Sequence, residues 1–221
     1  MLCPNIKPRL RVSLHLHILP PAQRLLWPKL AAIPEPFVLY GGTAIALQLG
    51  HRHSIDFDFF ARSEFDPQRL LQQNPVFANA EVVAMAANTL TVRFGETEPV
   101  LLSCFGVPRL PELRPPLRLI EPRIALGDLL ELGGMKAMVV QKRAEAKDYL
   151  DIHALIYQAG LELPLLLAAG AYLYPPHFAP ELTLKALCYF ADGNLASLTS
   201  EVRNDLARAV RSVDIQKLPQ L

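Results

Sequence analysis

The sequence predicts an α+β fold, with a mixed sheet and flanking helices in the first part of the chain and a C-terminal helical region after it. Three observations lead there. Short apolar runs with β-branched and aromatic residues, bounded by turn residues, recur up to residue 105. A proline-rich tract then holds Pro108, Pro111, Pro115, Pro116 and Pro122, and such a density of prolines suits neither a helix nor a central strand. Beyond it, the apolar residues return at helical spacing. The domain boundary is therefore placed at the end of the tract, with residues 1–122 as an α/β unit and 123–221 as a helical one.

Each element has its own signal. Residues 20–32 read as an amphipathic helix with Leu25, Leu26, Trp27 and Leu30 on its apolar face, ended by Pro34 and Pro36. Before it, His15 and His17 alternate with Leu14, Leu16 and Ile18 and read as the outer face of a short strand. Residues 37–40 form a short buried strand that stops at Gly41-Gly42, and Thr43 is placed to cap a helix over 43–49. Residues 54–60 are a second strand and 66–73 a helix. Strands follow at 80–86, 89–94 and 100–105, the first two joined by a tight turn at Ala87-Asn88. Helices are expected at 126–144, 149–159, 179–190 and 198–213.

Composition excludes several classes. Of 221 residues, 51% are hydrophobic and 19% charged, which is incompatible with a disordered chain. The net charge of +1 gives no global attraction to nucleic acid. The longest apolar run, 163–174, contains Pro164 and Gly170 and is too short to span a bilayer. Lys7, Arg9 and Arg11 precede an apolar patch, but His15 and His17 interrupt it and Pro20-Pro21 follows, unlike a secretory signal. Cys3, Cys104 and Cys188 are odd in number, far apart and form no CxxC pair. They read as reduced thiols of a cytoplasmic protein.

The chemistry lies between residues 41 and 60. On a strand over 54–60, Asp56 and Asp58 share one face while Ile55, Phe57 and Phe59 take the other. Adjacent carboxylates repel unless they share a proton, face water or hold a cation. The apolar flanks argue for a buried strand, and Mg²⁺ suits a site of one or two carboxylates completed by phosphates. Just upstream, Gly41-Gly42 opens a helix whose free N–H groups and dipole favour phosphate, with the Thr43 hydroxyl as a further donor. Alone, the glycines are a common turn and the acids a common solvated edge. Together they supply a phosphate cradle and a metal-carboxylate pair, as nucleoside triphosphate chemistry requires.

This pattern of apolar strand, Gly-Gly-Thr, helix and Asp-x-Asp resembles the DNA polymerase β-like nucleotidyltransferase superfamily. More narrowly, residues 39–47 with His51-Arg52 and Ser54 through Phe60 resemble the AbiEii/AbiGii toxin-type nucleotidyltransferases. A second block, Met135-Lys136, Arg143 and Lys147-Asp148-Tyr149-Leu150-Asp151, is similar to that family's helical lysine and Lys-Asp-x-x-Asp motif. The resemblance implies transfer of an NMP group from an NTP to an acceptor such as tRNA or another RNA, in a toxin paired with an antitoxin. It places Gly41, Gly42, Thr43, Arg52 and Ser54 around the nucleotide and Mg²⁺ on Asp56 and Asp58. Lys136 would neutralise the phosphates. Asp148 or Asp151 would orient the acceptor hydroxyl or serve as its base. Read without the family, Asp148 and Asp151 also fit a helix cap with its acid three residues on.

Polymerase-like members carry a third carboxylate on a neighbouring strand, and here Ser103 stands where it is expected, with Glu96 and Glu98 near the strand start. A catalytically weak or inactive module that binds nucleotide or a partner protein is therefore the alternative. His51, His53, Asp56 and Asp58 also suggest a zinc hydrolase, but only His153 and His177 lie downstream, at no useful spacing. From Arg109 to Lys147 there are eight Lys or Arg residues (109, 114, 118, 123, 136, 142, 143 and 147) against five acids. Clustered beside the site, they could guide an RNA backbone.

Overall fold

The structure is a computed structural model and describes residues 13–221. Its centre is a seven-stranded mixed sheet. The strands are β1 (Val38–Tyr40), β2 (Asp56–Ala61), β3 (Glu81–Ala86), β4 (Thr89–Phe94), β5 (Val100–Gly106), β6 (Leu117–Arg118) and β7 (Ala125–Leu126), in spatial order β3-β4-β5-β2-β1-β7-β6. The eight α-helices among the described residues are α1 (Pro21–Leu26), α2 (Gly41–Leu49), α3 (Pro67–Gln73), α4 (Leu129–Val139), α5 (Ala146–Tyr157), α6 (Leu163–Leu173), α7 (Pro180–Ala186) and α8 (Ser200–Arg211).

Strand β2 is central, antiparallel to β1 and parallel to β5. Its side chains alternate as the sequence predicts. Phe57 and Phe59 are buried with Leu39, Leu90, Val92, Leu102 and Cys104 on one face, and Asp56, Asp58 and Phe60 lie on the other, half-exposed. Each buried phenylalanine contributes about 2–3 kcal/mol of transfer free energy, which fixes the register. A one-residue slip would bury the aspartates. Ile55 does not join Phe57 and Phe59; it precedes the strand and is 61% exposed.

Local chemistry sets several boundaries. Asp66 caps α3 by accepting from the N–H groups of Gln68 and Arg69, and Asp128 caps α4 through Leu130 N–H. Asn88, at φ +57°, turns the chain between β3 and β4. The expected helix over 20–32 is shorter: α1 ends at Leu26, and Pro28 carries the chain into a 3-10 turn, Trp27–Ala32. Leu25 is 75% exposed, and the buried side is Gln23, Leu26, Trp27 and Leu30. Around His15 and His17 the chain forms a 3-10 turn, Leu16–Ile18, instead of a strand. The apolar run at 163–174 becomes α6, with Pro164 in the first turn, where its missing N–H leaves no bond unmade.

The proline-rich tract does not separate two cores. Strands β6 and β7 pair from either side of residue 122, and β7 lies parallel to β1. Buried hydrophobic residues from both sides of the boundary form one cluster, so α4, α5 and α6 share the interior of the sheet unit. Among the described residues no helix is long and apolar enough to cross a membrane. Cys104 is buried and Cys188 exposed, both free thiols. Cys3 and the basic residues Lys7, Arg9 and Arg11 lie outside the described residues.

Candidate active site

A cleft of about 450 Å³ opens where β2, the start of α2 and one side of α4 meet. Gly41, Gly42, Arg52, Asp56, Asp58 and Lys136 line it, with Arg143 and Lys147 also on its wall. Helix α2 starts at Gly41, with Tyr40 as its N-cap and no side-chain cap. The first-turn N–H groups therefore lack helical acceptors and open into the cleft. Gly41 sits at φ +70°, and a Cβ there would come 2.8 Å from Asp58 Oδ2. A Cβ on Gly42 would fall on Nη2 of Arg52. The two glycines thus let a carboxylate and a guanidinium close on the helix start from two sides.

Thr43 does not cap the helix as expected. It is buried, it donates to the Asp56 carbonyl, and it shares a 2.7 Å hydrogen bond with Ser54 Oγ. Its single proton is used, so it ties α2 to the start of β2 and has none left for a phosphate.

The carboxylates of Asp56 and Asp58 accept no hydrogen bond and join no ion pair among the described residues. Burial, then the neighbouring Asp56, pushes the Asp58 carboxyl above its ordinary value, against the pull of Lys136, Lys147 and Arg143. Burial also raises Asp56, with Lys147 opposing it. These are costly carboxylates in the free protein, and a cation between them removes the cost.

Asp148 and Asp151 sit behind the cleft wall, fully buried on α5. Asp148 holds Lys136 Nζ at 2.6 Å and Arg143 Nε at 2.8 Å. Asp151 holds Lys136 Nζ at 2.7 Å, His51 Nε2 at 2.7 Å, and Arg52 through Nε at 2.7 Å and Nη2 at 2.9 Å. Burial alone would raise Asp151, but His51, Lys136 and Arg52 together hold it far below the usual carboxylate range. Burial likewise pushes Asp148 up, but Arg143 and Lys136 outweigh it and hold the carboxyl below its ordinary value. Five expected residues therefore do not meet in one cleft. Asp56, Asp58 and Lys136 line it, whereas Asp148 and Asp151 grip the cations that do. Neither is placed to touch an acceptor hydroxyl or to substitute for a third carboxylate.

The register places Ser103 directly beside Asp58, where the third acid was sought, and Ser103 Oγ accepts from Thr91 at 3.1 Å. Glu96 and Glu98 are exposed and do not line the cleft. No cluster of three or more metal-type ligands occurs among the described residues, so the zinc-hydrolase reading has no ligand set. Of the eight basic residues between 109 and 147, only Lys136, Arg143 and Lys147 line the cleft. Arg118 instead pairs with Glu35 at 2.6 Å.

A second buried node escaped the sequence reading. Glu131 on α4 accepts from Tyr40 Oη at 2.5 Å, from Arg62, and from the backbone N–H of Leu113 at 3.0 Å. It clamps the proline-rich tract to the residue that precedes Gly41. Arg62 follows the alternation 56, 58, 60 one residue past the end of β2, which is the one sequence signal for it; Glu131 looks like any helical acid.

Residues 24–97 match the model of the nucleotidyl transferase AbiEii toxin family, type IV toxin–antitoxin system. An uncharacterized protein of Aquifex aeolicus (strain VF5) is 28% identical over 162 residues, covering 72% of this chain and 76% of that protein. The fold is similar to that of MenT4, a nucleotidyltransferase toxin of Mycobacterium tuberculosis H37Rv, with a TM-score of 0.54 at 16% identity over 88% of this chain and 83% of that one. It is also similar to a provisionally assigned nucleotidyltransferase from H. pylori, with a TM-score of 0.51 at 20% identity over 86% and 90% of the two chains. The α+β architecture read from the sequence is that of these neighbours.

Proposed function

We propose that the protein transfers an NMP group from an NTP to an acceptor such as tRNA or another RNA, with Mg²⁺ held by Asp56 and Asp58, as a toxin countered by an antitoxin. The observation that carries this reading is the unpartnered carboxylate pair beside a helix that begins in two glycines. The donor set fits the ion: two carboxylates on one strand face, both raised above their ordinary pKa by burial, and Asp58 further by the neighbouring Asp56. When bound, the ion supplies charge neutralisation and Lewis-acid polarisation at the phosphates.

The chain's own residues do the rest. The N–H groups at Gly41 and Gly42 bind phosphate oxygens at the helix start. Lys136 commits two of its three N–H donors to Asp148 and Asp151 and keeps the third for the cleft it lines. Arg52 is held by both carboxylate oxygens of Asp151, with its guanidinium laid over Gly42. It is preorganised for a phosphate instead of being ordered by one. Arg143 and Lys147 are about half exposed and can meet an RNA backbone at the mouth. The acceptor oxygen attacks the α-phosphorus, and pyrophosphate leaves with the bonding electron pair.

Ser103 beside Asp58 favours a second reading, a module that binds nucleotide without turnover. Labelled NTPs, Mg²⁺ and bulk tRNA decide between them. Transfer of label by the wild type and its loss in Asp58→Asn supports the enzyme; an NTP-induced thermal shift with no transfer supports the binding module.

A further inference from the structure

We propose that His53 accepts the proton of the attacking hydroxyl; this rests on the transferase reading above. Without an acid at Ser103, the cleft needs another base. Asp56 and Asp58 serve the metal, and Asp148 and Asp151 are buried in ion pairs. Of the remaining cleft-lining side chains, His53 is the one with a basic atom that no described residue engages.

Its orientation is set. Nδ1 lies 3.1 Å from the carbonyl oxygen of the buried Ile18, and a carbonyl can only accept, so Nδ1 carries the proton. Nε2, on the far side of the ring, is then a lone-pair acceptor. The loop around it is pinned at successive residues. His51 and Arg52 bind Asp151, Arg52 Nη1 donates to the His53 carbonyl at 2.9 Å, and Ser54 binds Thr43. An exposed imidazole on so constrained a segment is positioned without a ligand.

The step balances. The acceptor O–H bond breaks and its proton goes to Nε2. The oxygen's electron pair forms the new bond to the α-phosphorus. The bond from that phosphorus to the pyrophosphate oxygen breaks with its electrons on the leaving group, and the imidazolium later returns its proton to solvent.

The test is single-turnover transfer from labelled NTP to bulk tRNA with Mg²⁺, in wild type, His53→Ala and His53→Asn. Asparagine keeps a donor for the Ile18 carbonyl and removes the base, which separates folding from chemistry. The expected result is a fall in rate of about 100-fold in both variants. The thermal shift given by Mg²⁺ with NTP should stay at the wild-type value, and added imidazole should restore part of the rate of His53→Ala. Wild-type rates in both variants, or loss of rate together with loss of the thermal shift, would overturn the role of His53 while the transferase reading stands. A wild type that binds NTP and transfers nothing overturns both.

Discussion

Two pairs of aspartates face opposite fates in this molecule. Asp56 and Asp58 stand two residues apart on a strand, half-exposed, without a donor, and burial raises their carboxyl pKa values. Asp148 and Asp151 stand three apart on a helix, fully buried, paired with Lys136, Arg143, Arg52 and His51, and their pKa values are lowered. The residue type is the same and the burial of the second pair is greater, so burial does not decide the charge state. Partners do. A carboxylate whose partners are all within the chain is scaffold. One whose partner is missing from the chain is, on the proposed function, where the metal binds.

The contrast breaks most visibly at Asp151. Asp151→Ala leaves Arg52, His51 and part of Lys136 without their counter-ion in the interior, and should cost about 3–5 kcal/mol of stability by denaturant titration. Asp58→Asn should do the reverse. Transfer should fall about a thousandfold, on the order of 4 kcal/mol in barrier, while the melting temperature of the metal-free protein stays level or rises. If both substitutions behave alike, the division into scaffold and site is wrong.

Gly42→Ala probes the link between the pairs, since its methyl group must displace the Arg52 guanidinium from Asp151. A loss of about 1–3 kcal/mol is expected, by the same titration.

A smaller effect concerns pH. A raised carboxyl pKa in the folded state means that the native protein binds that proton more tightly than the unfolded chain does. The penalty from Asp56 and Asp58 is therefore present at neutral pH and is relieved as pH falls through their elevated values. The lowered pair acts oppositely: its contribution is complete above the unfolded value of 3.8 and is lost as pH falls below it. Melting temperatures in EDTA should thus rise modestly from pH 7 toward the acid range above 3.8, then fall. Asp58→Asn should flatten the rise and leave the fall.

Much of this was legible in the residues. The alternation of Asp56, Phe57, Asp58 and Phe59 predicts both faces of β2, because a strand has a fixed period of two and only one face tolerates charge. Ser103 as the occupant of the third-acid position was legible from the resemblance to polymerase-like members together with the strand at 100–105, and the register puts it beside Asp58. The roles of Asp148 and Asp151 were not. Their spacing fits a cap, an exposed pair or a catalytic pair, and only the return of Arg52 and His51 from a hundred residues upstream settles which. Thr43 was misjudged for a similar reason: a hydroxyl at a helix start has several available acceptors, and the one it takes, the Asp56 carbonyl, lies on another element. Leu25 fell on the exposed side because helical spacing sets it roughly 100° or more around the axis from Leu26, Trp27 and Leu30, the side that is buried.

The central contrast is tested most directly by titrating Mg²⁺ into the protein in the presence of a non-hydrolysable NTP analogue, read by calorimetry. The account predicts saturable binding by the wild type and its loss in Asp58→Asn, whose fold remains intact. Equal binding by wild type and Asp58→Asn, or none by either, would contradict it.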